Sequence, residues 1–85
     1  MSKFPNLEHL IATIATLRSE NGCAWDREQT HASLRPNMIE EAYEAIDAIN
    51  ENNPAHLREE LGDVLLQVLL HSQIASEEGD FDIED

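Results

Sequence analysis

Eighty-five residues allow one small domain, 1–85, with no second core. Eighteen acids against five Lys and Arg give a formal charge of −13, which repels phosphate backbones and excludes a nucleic acid polymer as partner. The longest apolar stretch, VLLQVLL (Val64 to Leu70), is far short of the roughly 20 residues that a spanning helix needs, so no membrane partner is expected.

The apolar spacing predicts a first helix over about 6–20, where Leu7, Leu10, Ile11, Ile14 and Leu17 recur at helical intervals before Asn21–Gly22 ends it. GCAWDREQTHASL then reads as a loop, with a short helical turn capped near Thr30. Pro36, a favoured first-turn residue, starts a second helix that runs to about 50. The turn ENNP leads into a third helix over about 54–78, stopped by Gly79. No strand-like alternation is present, and the fold class expected is all-α, built of antiparallel helical hairpins. The end of the chain, from about 80, reads as a solvated acidic tail, since EEGDFDIED holds six acids in nine residues.

At 100° per residue, the second helix sorts into two stripes. Ile39, Ala42, Ile46 and Ile49 form the apolar one and Glu40, Glu44, Asp47 and Glu51 the polar one, with Glu41 at the edge. By itself this is an amphipathic helix with a charged solvent face. The third helix is different. Leu61, Val64, Leu65, Leu66, Val68, Leu69 and Leu70 cover nearly its whole circumference, which predicts burial on all sides. A three-helix monomer cannot hide such a helix, so a bundle completed by a homodimer or homotetramer is expected. One polar strip interrupts it: Glu60, Asp63, Gln67 and His71. Arg58 is the lone basic residue after Asn37, so local ion pairing cannot neutralise these acids. A hard divalent cation with oxygen ligands compensates facing carboxylates best. The donor set suits Mg²⁺, with Mn²⁺ as a substitute, and not zinc, because no Cys/His cluster is present.

These acids also carry a resemblance. EEAYE (Glu40 to Glu44) followed by ELGD (Glu60 to Asp63) reads EExxE…ExxD, behind CAWDREQTHASL. The pattern resembles the all-α nucleoside triphosphate pyrophosphohydrolase superfamily and, within it, the MazG branch, over about 17–81. The resemblance implies an enzyme, a Mg-dependent hydrolase that cleaves NTP or dNTP to the monophosphate and pyrophosphate and serves nucleotide-pool housecleaning. It implies Glu41, Glu44, Glu60 and Asp63 as metal ligands, with Glu40 as the catalytic candidate, either an acid that supports those ligands or the group that orients the attacking water. It also implies dimeric assembly. Two features depart from the family pattern: Ala24 stands where the family has proline, and nothing basic follows Arg58, whereas MazG proteins continue into a basic helix that helps hold the triphosphate. Either the sequence is a fragment or short form of such a protein, or phosphate binding depends on Lys3, Arg18, Arg27 and Arg35. The alternative function is a non-catalytic metal-binding oligomerisation module, an inactive repeat or truncated core.

For substrate, Arg27 and Arg35 are phosphate-clamp candidates, Trp25 either stacks on a base or plugs the helix ends, and His31 either contacts substrate or bonds a helix start. His71 reads as a core or interface polar group, and His9 and His56 as surface residues. The single cysteine, Cys23, has no partner for an intrachain disulfide, and no apolar leader opens the sequence, so a cytoplasmic location is expected.

Overall fold

The computed structural model describes residues 3–85 and is all-α among them: α1 (Pro5–Leu17), α2 (Ala24–Glu28), α3 (Arg35–Asn50) and α4 (Pro54–Glu78). Proline opens α1, α3 and α4 within the first two positions, where its missing N–H costs no intrahelical bond. The first helix ends at Leu17, three residues before the expected stop, because the chain folds back at once. Cys23 donates its N–H to the Leu17 carbonyl at 2.8 Å. Gly22 is needed in that return, since a Cβ there would lie 2.3 Å from the Thr16 and Leu17 carbonyl oxygens.

The predicted turn near Thr30 is present. Thr30 and Ser33 exchange reciprocal bonds, each side-chain oxygen accepting from the other's backbone N–H, at 2.8 and 3.0 Å. This turn delivers Leu34, fully buried, to the core. Asn53 caps α4 by accepting from the His56 N–H at 3.1 Å, and Gly79 closes it in the left-handed region, φ 79°.

Two packing units result. The α3 and α4 helices form an antiparallel hairpin around the short turn Glu51–Asn53, in which Asn52 takes φ 55°, a value asparagine tolerates. The C-terminal half of α4 also packs on α1, where Ile14, Leu34, Leu69, Leu70 and Ile74 form the core with Leu10 and Ile11 against it. Burying each of these side chains contributes about 1.5–3 kcal/mol. Arg18 ties the unit together. Its side chain is 6% exposed, and the guanidinium pairs with Glu77 at 2.9 Å and also donates to the Asp26 and Gln29 carbonyls.

The hairpin corrects the expected faces of α3. Its buried residues are Ala45 and Ala48, while Ile39, Ile46 and Ile49 are all exposed. Glu41 and Glu44 share the stripe of Ala45 and Ala48, at i, i+3, i+4 and i+7, and therefore look toward α4. Alanines let the two backbones approach closely; isoleucines on that side would hold them apart. The α4 helix is likewise not buried on all sides within one chain. Leu61, Leu65, Leu66 and Val68 are exposed, because α3 and α1, the helical neighbours of α4 among the described residues, cover only part of its circumference.

Candidate functional site

The α3–α4 hairpin brings Glu41, Glu44, Glu60 and Asp63 to one place. Each offers a carboxylate oxygen, and these oxygens all lie within 4.8 Å of one another. The spacing explains the convergence: a three-residue step on each helix keeps both acids of a pair on the face turned to the other helix. Asp63 is exposed and the other three are half-buried, so the cluster is open on one side.

The acids do not satisfy one another. Glu41 Oε2 and Glu60 Oε2 are buried with no hydrogen-bond partner. Burial first, and then the charges of Glu44, Asp63 and Glu60, push the Glu41 carboxyl above its ordinary range. The Glu60 carboxyl is also raised, chiefly by the close Glu44 carboxyl and next by burial. Such strain is what a cation would relieve: several carboxylates share one small volume with too few donors.

One donor does reach the cluster. His56 places Nε2 3.2 Å from Glu60 Oε1 and Nδ1 2.9 Å from Glu51 Oε2. Sequence reading put His56 on the surface and missed this link, although its i, i+4 spacing to Glu60 was visible. Further along α4, Gln67 Oε1 and His71 Nε2 are buried without partners. The His71 ring stacks on His31, centroids 5.0 Å apart and planes within 2°, with the two Nδ1 atoms at 2.7 Å. Burial, followed by the nearby His31, lowers the His71 pKa.

Of the remaining candidates, Glu40 lies exposed beside Glu41 on α3, and Trp25 is 56% exposed on α2. Arg27 donates to the Ser19 and Glu20 carbonyls, Arg35 donates to the Ala32 carbonyl at 3.2 Å, and His31 is taken up by His71. Trp25, Arg27, Arg35 and His31 show no hydrogen bond or ion pair to the acid cluster.

Residues 29–85, from the Thr30 turn through both acidic helices, match the profile of the MazG nucleotide pyrophosphohydrolase domain. The chain belongs to the MazG family. A MazG nucleoside triphosphate pyrophosphohydrolase/pyrophosphatase of Thermotoga maritima is 59% identical over 92% of this chain and 31% of its own length. A nucleoside triphosphate pyrophosphohydrolase of Escherichia coli K12 is 48% identical over 93% of the chain and 30% of its own length. An uncharacterised protein, YabN, of Bacillus subtilis is 60% identical over 85% of the chain and 15% of its own length. The chain thus spans about a third or less of these relatives. The match covers the MazG helices that carry all four converging acids, whereas α1 and α2 precede it.

Proposed function

We propose that this chain is a catalytic MazG domain that hydrolyses nucleoside triphosphates, NTP or dNTP, to the monophosphate and pyrophosphate. The observation that carries the reading is the convergence of four carboxylates, two with buried unpartnered oxygens, in a chain of this family. The donors fit a hard divalent ion: all are carboxylate oxygens, and no thiol or imidazole joins the four. Glu41, Glu44, Glu60 and Asp63 would hold Mg²⁺, or Mn²⁺ in its place. A cation bound there neutralises charge on the triphosphate and makes an attacking water more acidic.

The protein's own groups do the rest. Glu40, exposed one position before Glu41, is the residue assigned to orient the water toward the α-phosphorus. The water's oxygen forms the new bond to that phosphorus, its proton passes to Glu40 or to solvent, the bond from the phosphorus to the α–β bridging oxygen breaks, and pyrophosphate leaves with that oxygen. Trp25 offers a face for the base. Arg27, Arg35 and His31 lie in the segment that precedes α3 and are the polar groups assigned to substrate. Clearing surplus or non-canonical nucleotides is the cellular role this chemistry suits.

The exposed faces support assembly. Ile39, Ile46 and Ile49 of α3 and Leu61, Leu65 and Val68 of α4 are large apolar side chains left exposed on the two helices. A homodimer or homotetramer built on these faces would bury them. No helix among the described residues is long and apolar enough to cross a membrane, and Cys23 is free; both fit a cytoplasmic enzyme.

A second reading, a metal-binding module without turnover, draws on the arginines: Arg18, Arg27 and Arg35 are all engaged with protein groups. One assay separates the two. Purified protein is given a panel of nucleoside triphosphates with Mg²⁺, and pyrophosphate is measured for wild type and Asp63→Ala. Pyrophosphate from wild type alone supports the enzyme; Mg²⁺ binding without any product supports the module. Inorganic phosphate with a diphosphate product would overturn the α–β cleavage.

A further inference from the structure

His56 sits at the third position of α4, one turn before Glu60 and across the interhelical turn from Glu51. Its backbone is fixed by the Asn53 cap at 3.1 Å. Both of its ring nitrogens are engaged, Nδ1 by Glu51 Oε2 at 2.9 Å and Nε2 by Glu60 Oε1 at 3.2 Å. A ring held at both ends cannot rotate without losing one contact. The Glu60 side chain it touches is 12% exposed, and of that carboxylate's two oxygens Oε1 is taken while Oε2 is buried and unpartnered.

The consequence for Glu60 is directional. A glutamate has three soft torsions, and a free one would spread its carboxylate over many orientations. Here Glu51, the C-cap residue of α3, anchors His56, and His56 anchors Glu60. The orientation of an α4 carboxylate is thereby referred to the end of α3, the helix that supplies Glu41 and Glu44. We propose that His56 is a positioning residue: the Glu51–His56 pair holds Glu60 so that its Oε2 is the oxygen presented to the divalent cation. This rests on the reading of Glu60 as a metal ligand. Partners that orient ligating side chains typically change metal affinity by 10–100-fold when removed.

The test is Mn²⁺ binding by isothermal titration calorimetry on the full chain, at one fixed pH and salt, for wild type, His56→Ala, His56→Gln and Glu51→Gln. Glutamine can carry an amide donor to about the place of the imidazole Nε2 while leaving the Glu51 contact and the ring behind. Positioning predicts a roughly 10–100-fold weaker Mn²⁺ affinity for His56→Ala, substantial recovery in His56→Gln, and an intermediate loss in Glu51→Gln. Circular dichroism without metal checks that the helices persist; if the alanine variant does not fold, the glutamine and Glu51 variants decide on the same ranking. Affinity that is unchanged or tighter in all variants, while wild type binds, overturns the positioning role and leaves the metal site standing. No Mn²⁺ binding by wild type overturns both.

Discussion

Adding Mn²⁺ or Mg²⁺ to the metal-free protein should raise its melting temperature strongly. Without a cation, four carboxylate oxygens within 4.8 Å oppose the closure of the α3–α4 hairpin, and two buried oxygens there lack any donor. A ligand that binds the folded state alone stabilises it by about 2.7 kcal/mol at a hundredfold excess over its dissociation constant. For a domain of this size each kcal/mol is worth roughly 4–8 °C, so a shift of about 11–22 °C is expected. The quadruple variant Glu41→Ala, Glu44→Ala, Glu60→Ala, Asp63→Ala should lose the response and, metal-free, melt at or above wild type. Acidity should matter in a defined direction. The raised carboxyls of Glu41 and Glu60 bind protons more readily folded than unfolded. Metal-free stability from these two is therefore greatest below the usual 4.5 and declines as pH rises through the raised values. Metal binding needs the deprotonated forms, so the metal-induced shift should grow over the same window. Differential scanning calorimetry at pH 4 to 8, with and without chelator, reads both trends. Equal metal shifts in wild type and the quadruple variant would refute the cluster as a metal site and reduce the acids to a solvated patch.

Two further outcomes concern the scaffold. Ile46→Glu with Leu65→Glu, on the exposed apolar faces, should convert a dimer or tetramer into a monomer of about 10 kDa in analytical ultracentrifugation, because an unpaired charge in a packed interface costs several kcal/mol; a wild type already monomeric at micromolar concentration would refute the assembly. Arg18→Ala should destabilise the fold by about 2–3 kcal/mol at pH 7, from hydrogen bonds to a charged donor, with the partly exposed ion pair discounted. The Arg18 hydrogen bond depresses the Glu77 pKa, so that share is present above the usual 4.5 and is lost as pH falls through the depressed value; urea denaturation at pH 3 and 7 should show the variant's deficit shrinking in acid, and an equal deficit at both would rule the pairing out.

How far the sequence alone reached depends on the range of the interactions. The α4 helix was legible to within a residue, because Asn53, Pro54 and Gly79 act locally on their own backbone. The two acid pairs were legible as well, since residues three apart share a helix face whatever the partner. Which face of α3 turns inward was decided by tertiary packing. Periodicity ranks Ile39, Ile46 and Ile49 as the buried stripe, but the hairpin closes on Ala45 and Ala48, whose small side chains permit close approach, and so carries Glu41 and Glu44 inward with them. Long-range pairs were invisible for the same reason. Arg18 and Glu77 are 59 residues apart and His31 and His71 are 40 apart, and no local pattern marks them as partners. Chain chemistry determined that acids would face acids across a hairpin; only the packed helices decided that Glu41 and Glu60 would each bury an oxygen with no donor, because burial depends on what the neighbouring helix leaves room for.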